Sequence, residues 1–263
     1  MDPMSKPTPV GEQQSTPESA HALVIGAQSG IARALCDIWC ADESLQVVHA
    51  VSRSPEATVK VPAVAGDSRL RKYQCDHSES AIDEVVASLS QSAAPLRQVA
   101  IFLGALQSDD FQPEKTQGAL SPRAMEQVYH INCVLPLIWL ARLMPLFRRQ
   151  SACRVAVLSA RAGSIGDNSV GGWWSYRCSK AALNMGLKCS AIELARRAPG
   201  VKLVAYHPGT VDTSLSKPFQ RGVPEGKLFT PEFAAGRLDA VLKEQPLDGE
   251  LSYLDWQGKS IPW

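Results

Sequence analysis

The chain has 263 residues, 45% of them hydrophobic, and sets 27 Lys and Arg against 26 Asp and Glu for a net charge of +1. That length suits one large α/β domain, and the balanced charge predicts neither a basic nucleic-acid-binding stripe nor an acidic tail. The longest apolar region, residues 134–147, falls short of the ~18 residues of a membrane span and is broken by Pro136, Arg142 and Pro145. Seven cysteines, an odd number without metal-type spacing, read as small buried thiols in a reducing compartment. Residues 1–20 contain no apolar leader segment. The expectation is a cytoplasmic protein that engages neither nucleic acid nor membrane and holds no metal.

Residues 1–20, rich in Pro, Ser, Gln and Glu, read as a disordered tail, followed by a single folded domain over residues 21–263. HALVIG, residues 21–26, is an apolar run of buried-strand type. It leads into a helix opened by Gly26 and Gly30, with Ile31, Leu35, Ile38 and Trp39 on its apolar face. A strand that turns through glycines into a helix aims backbone N–H groups and the helix dipole at an incoming anion. Gly26, Gln28, Ser29, Gly30 and Ile31 are therefore candidates for holding a dinucleotide pyrophosphate. A second strand, residues 46–51, ends in Ser52, Arg53 and Ser54, with no acidic side chain to take a ribose 2′-hydroxyl. Arg53 can instead pair with a 2′-phosphate, assisted by Ser52 and Ser54, which favours NADP(H) over NAD(H); the alternative is a surface arginine in a loop.

Residues 54–68 read as a loop, 70–75 as a third strand leading to Asp76, and 79–90 as an amphipathic helix. A fourth strand over 99–104 ends in FLGAL, where Gly104 and Ala105 permit close approach of a cofactor. Ser121 and Pro122 suit the cap and first turn of a long helix running to Phe147, which carries Asn132 and, four residues on, Pro136. After a fifth strand, 154–159, a helix over 174–197 carries Tyr176 and Lys180. Four residues apart, the two side chains rise from one helix face. An ammonium beside a phenol of ordinary pKa about 10 favours the phenolate and lets it exchange a proton near neutrality. Trp173 and Trp174 stand directly before this tyrosine, where a pocket wall, core packing and a subunit contact are alternative uses. A sixth strand, 201–206, closes on HPGTVDT. The loop-rich residues 215–229 fit a cover over substrate, and a helix over 231–242 and a strand over 250–256 finish the chain.

Gly26, Gly30 and Ala32 in G-x-x-x-G-x-A spacing, Asp76, Asn132, Tyr176-x-x-x-Lys180 and the P-G-x-x-x-T run from Pro208 to Thr213 occur in the order found in short-chain dehydrogenases/reductases. The chain resembles that family from about residue 21 to its end. ARAGSIGDN, GGWWSYRCSKAALN, HPGTVDT and the final IPW resemble its bacterial C-factor-like branch, related to sniffer-type carbonyl reductases. The resemblance implies an α/β fold, a Rossmann-type doubly wound seven-stranded parallel sheet. It implies hydride transfer between the nicotinamide of NADP(H) and a small-molecule carbonyl or alcohol, in a homodimer or homotetramer. Tyr176 would exchange the proton with the carbonyl oxygen, while Lys180 would bind the nicotinamide ribose and depress the tyrosine pKa. Asn132 would hold a relay water, and Asp76 would border the adenine. Gly104, Ala105, Pro208, Gly209, Val211 and Thr213 would complete the cofactor site.

Two departures accompany the resemblance. Phe102 and Leu103 stand where the family has the asparagines of NNAG, which removes a polar group that commonly stabilises the central sheet. Ser159 is followed by Ala160 where the family has a Ser-Ser pair, so the substrate-orienting position holds alanine; Ser159 is expected to serve in its place, ahead of Ser164. Ala160 also keeps open the alternative of an NADP(H)-binding signalling or sensor protein.

Overall fold

A computed structural model describes residues 20–54, 69–150 and 152–263. The expected tail, Ala20 excepted, and most of the expected loop at 54–68 lie outside the described residues. In chain order the elements are β1 (Ala20–Ile25), α1 (Gly30–Ala41), β2 (Leu45–Ser52), β3 (Leu70–Gln74), α2 (Glu79–Ser90), β4 (Leu96–Ile101), α3 (Pro122–Tyr129), α4 (Leu135–Phe147), β5 (Cys153–Leu158), α5 (Trp174–Arg197) and β6 (Val201–His207). Two short strands, β7 (Thr210–Val211) and β8 (Leu228–Phe229), precede α6 (Pro231–Glu244) and β9 (Leu251–Asp255).

Seven strands form one parallel sheet in the order β3-β2-β1-β4-β5-β6-β9. From β1 the chain winds outward through β2 and β3, then returns to β4 and winds the other way. The switch lies between β1 and β4, and in such sheets the crevice outside the carboxyl ends of these strands is the ligand site. Strands buried on both faces need no polar alternation, which is why HALVI and VAVL read as continuous apolar runs. One face packs on α1 and α6, joined by a hydrogen bond from Trp39 Nε1 to Asp239 Oδ1 at 2.9 Å. The other carries α2, α4 and α5.

β4 stops at Ile101, three residues before the expected end. Its neighbour β1 ends at Ile25, where Gly26 turns at φ 80°, so beyond the bond from Phe102 N to Ile25 O the ladder has lost its partner. Phe102 and Leu103 then enter opposite cores, Phe102 on the α1 side and Leu103 on the α5 side.

The expected long helix is present, with a π turn at His130–Val134 between α3 and α4. Pro136 has no N–H to offer the carbonyl of Asn132 four residues earlier, and the winding widens at that point, as it commonly does beside functional sites. The run Pro122–Phe147 is long and apolar enough to cross a membrane, yet half of its most apolar window is buried within the protein. Leu140, Leu143 and Phe147 belong to the core.

The β1–α1 turn yields a direct test. A Cβ at Gly26 would lie 2.6 Å from the Phe102 carbonyl oxygen, at a φ that L side chains resist. Gly26→Ala is expected to destabilise the protein by about 1–3 kcal/mol, which thermal melts of the two proteins measure.

Candidate active site

A cleft of about 920 Å³ opens along the carboxyl ends of β1, β2, β4, β5 and β6. At the β1–α1 turn, Gly26 N and Ala27 N both donate to Val51 O at 3.0 Å. Ser29 caps α1, its hydroxyl accepting from Ala32 N at 3.1 Å. Ala32 is fully buried, so alanine meets the close-packing demand at this position. A Cβ on Gly30 would lie 3.2 Å from Pro231 Cγ, so the first turn of α1 abuts that of α6. Gln28, Gly30 and Ile31 line the cleft.

Arg53 and Asp76 line the same cleft beyond β2 and β3. Arg53 is exposed, whereas Ser52 Oγ already donates to Ser54 O at 2.8 Å. Asp76 accepts from Ser78 N at 2.8 Å, and the hydrogen bonds from Ser78 hold its carboxyl below the usual range. On the opposite side, β7 pairs with β8 and fixes the run after Pro208 and Gly209. Gly209 turns at φ 77°, where a Cβ would strike the Phe229 ring at 2.7 Å. Val211 is buried, and the Thr213 methyl sits beside Gly30 at the start of α1.

Asn132, Tyr176 and Lys180 meet at the centre. The Asn132 amide is fully engaged: Oδ1 accepts from Ala105 N at 2.6 Å, while Nδ2 donates to Ala105 O at 2.9 Å and to Ser179 Oγ at 3.0 Å. It ties the loop after β4 to α5. Gly104 leaves room above the pair, since a Cβ there would come within 3.4 Å of Lys180 Nζ. Lys180, 2% exposed, donates from Nζ to Leu158 O at 2.8 Å and lies 6.0 Å from the centre of the Tyr176 ring.

Burial sets the protonation of this pair in the reverse of the expected sense. It pushes the Lys180 ammonium down to about 7 and the Tyr176 phenol up to about 12, the latter with a further push from Tyr253. Among the described residues no carboxylate offsets the loss of water around Lys180, and only Cys133 pushes the other way. In this structure the lysine is poised to titrate near neutrality and the phenol holds its proton.

The two candidate serines part company. Ser159 borders the cleft, but it is 3% exposed and its hydroxyl donates to Asn184 Oδ1 at 2.7 Å. Ser164 donates to Pro262 O at 2.5 Å and accepts from Asp167 N, which binds it to the carboxyl-terminal segment. Ala160 lines the cleft as well. His207 lines it too, and burial, with Arg161 contributing, pushes its imidazole down to about 4, neutral at physiological pH.

Two residues given no role in the sequence reading also position the site. Glu114, 4% exposed in the loop after β4, accepts from Ser175 N at 3.2 Å and from Ser175 Oγ, capping the helix that carries Tyr176. Gly163 lets the segment after β5 lie on α5, since a Cβ there would be 2.8 Å from the Lys180 main chain. The glycine in ARAGS was a visible signal; Glu114 had none, because loop residues do not announce a partner 61 positions away.

Residues 20–223 match the family model described as short chain dehydrogenase. The C-signal protein of Myxococcus xanthus is 33% identical over 139 residues, covering 53% of this chain and 78% of that protein. A 1-hydroxy-2-glutathionyl-2-methyl-3-butene dehydrogenase of Rhodococcus sp. (strain AD45) is 33% identical over 162 residues, 61% of this chain and 66% of that enzyme. Among solved structures, the NADPH-bound carbonyl reductase from chicken fatty liver superposes with a TM-score of 0.77 at 23% identity, over 94% of this chain and 100% of that one. The doubly wound sheet, the glycine turn and the family match agree, and the chain belongs to the short-chain dehydrogenase/reductase family of oxidoreductases.

Proposed function

We propose that this protein is an NADP(H)-dependent oxidoreductase that interconverts a small-molecule carbonyl and its alcohol. The observation that carries the reading is Lys180, buried beside Tyr176 and under the bare backbone of Gly104 with no carboxylate partner among the described residues. Groups with strongly displaced pKa values cluster in clefts that do chemistry. The cleft fits a dinucleotide on its own geometry: a side chain is excluded at Gly26, Gly104 presents bare backbone next to Lys180, and the α1 terminus opens onto the cleft, where it would meet an anion. Gly26, Gln28, Ser29, Gly30 and Ile31 would hold the pyrophosphate, Arg53 the 2′-phosphate and Asp76 the adenine border. Gly104, Ala105, Tyr176, Lys180, Pro208, Gly209, Val211 and Thr213 would surround the nicotinamide half. Bound there, the dihydronicotinamide supplies the hydride.

The chain's own residues would supply the proton. Tyr176, protonated across the physiological range, gives it to the carbonyl oxygen as the alcohol forms. Lys180 then restores the phenol. A water on the Asn132 carbonyl, which Pro136 deprives of its α-helical donor, links Lys180 to solvent. Because Lys180 acts as donor in this direction, kcat/KM for a carbonyl is expected to fall as pH rises through about 7. In Lys180→Arg, which stays protonated, that break should vanish; a pH-rate profile for both proteins checks it. Exposed Val134, Met185 and Ile192 on the α4 and α5 region support assembly of two or four copies.

A second reading, an NADP(H)-binding signalling protein with little turnover, draws on Ala160 and on the commitment of Ser159 to Asn184. Tyr176→Phe separates the two. The reductase loses turnover at least about a hundredfold with NADPH affinity retained; a sensor gives wild type and variant equally inactive on a broad carbonyl panel, both binding NADPH. Fluorescence titrations test the cofactor. NADPH should be preferred, and Arg53→Ala should weaken NADPH binding about 10- to 100-fold, the value of a charge-assisted pair, with NADH unaffected.

A further inference from the structure

The residues entering α5 adopt a backbone that ordinary helix starts do not need. Gly171, Gly172 and Trp173 have φ of 68°, 67° and 52° in succession. Two glycines accept that conformation freely, but an aromatic residue there is a true outlier. It is held from several sides: Trp173 N donates to Glu114 O at 2.7 Å, Glu114 grips Ser175, and Arg177 Nε donates to the carbonyls of Gly171 and Gly172 at 3.0 Å each. Strain that the surroundings over-determine is characteristic of binding sites. Its effect is to turn the indole into the cleft while Trp174 starts the helix outside it.

The indole meets two rings. It lies 5.0 Å from Phe219, which comes from the segment between β7 and β8, and 6.4 Å from Tyr176, edge-on at 84°. Trp173 and Phe219 thus form a two-ring corner next to the phenol, in a cleft also lined by the apolar Leu106, Val223 and Ala160. His207, the polar ring on this side, is neutral at physiological pH because burial opposes its charge. The charged side chains lining the far part of the cleft, Arg53 and Asp76, follow β2 and β3. β2, from which Arg53 leaves the sheet, lies three strand spacings, about 14 Å, from β5, whose end leads into Ala160. Asp212, nearer, has its carboxylate engaged by Gln220 Nε2 at 2.7 Å.

We propose that this corner is the substrate-recognition site and that it selects a neutral aryl carbonyl, or its alcohol, by ring packing on Trp173 and Phe219. The proposal deepens the oxidoreductase reading and rests on it. With alanine at position 160, no serine hydroxyl fixes the carbonyl from that side. The aryl group instead orients it: seated in the corner, it brings the carbonyl oxygen to the Tyr176 phenol. Offset and edge-to-face packing is directional enough for this task, and an ionised substituent on the same ring would meet two apolar rings and the Asp212 carboxylate, while the Lys180 ammonium is buried behind the phenol on Leu158 O.

Initial rates with NADPH on 4-nitrobenzaldehyde, 4-carboxybenzaldehyde and butanal test it. The expected wild-type order in kcat/KM is the nitro compound first, with the carboxylate and the aliphatic aldehyde each at least about tenfold lower. Trp173→Ala should reduce the nitrobenzaldehyde-to-butanal ratio about tenfold through KM, and Trp173→Phe should restore most of it. Phe219→Ala, which leaves the strained backbone untouched, should reduce the ratio in the same direction, and melting temperatures verify that each variant is folded. A ratio that stays at its wild-type value in both alanine variants, or a wild type that turns over butanal as well as the aryl aldehyde, overturns the aryl site and leaves the oxidoreductase standing. Absence of turnover on all three probes by protein that binds NADPH overturns the oxidoreductase reading and the proposal with it.

Discussion

Burying a cation without a counter-charge is costly, and the geometry around Lys180 follows from that constraint. The ammonium must lose its water to reach the cleft, so a main-chain carbonyl, Leu158 O, takes the place of solvent. That contact requires β5 to end beneath α5. The segment following β5 must therefore cross α5 at close range, which only Gly163 permits. Asn132 then closes the other side by joining the loop after β4 to α5 through Ser179. The displaced lysine pKa is the electrostatic record of this arrangement.

The sheet supplies the rigid reference. Its switch between β1 and β4 leaves a crevice at the carboxyl ends, and the glycine turn, Gly104 and the HPG run open onto it from three strands. Helix α5 brings Tyr176 and Lys180 to the same place from outside the sheet. Its amino terminus is anchored by Glu114, from a loop that also begins at the crevice. The site is thus assembled from strand ends, a helix face and one loop, with the most precise members on the most rigid elements.

Much of this was legible from residue order, for identifiable reasons. Parallel strands buried on both faces give apolar runs that can be seen without a structure, and Trp174–Arg197 is the helix that the spacing of Tyr176, Lys180, Leu183, Leu187 and Leu194 implies. Side-chain commitments were not legible. Whether Ser159 faces substrate or Asn184 depends on the register of β5 against α5, a tertiary quantity. The protonation of Tyr176 and Lys180 likewise depends on how much water the fold removes; proximity alone suggested an acidified phenol, whereas desolvation dominates. Fine breaks in regularity, such as the early end of β4, required knowing where the neighbouring strand turned away.

The amide of Asn132 constrains which substitutions this chain can accept around it. It already saturates both main-chain groups of Ala105, while Phe102 and Leu103 fill opposite cores. An asparagine introduced at 102 or 103 would enter an apolar environment with that partner already occupied, and a buried amide without a partner is destabilising. Exchanging Asn132 alone would strand the Ala105 groups. The polar link between the loop after β4 and α5 therefore rests on this one side chain, and the effects of substitutions at 102, 103 and 132 are not independent of one another.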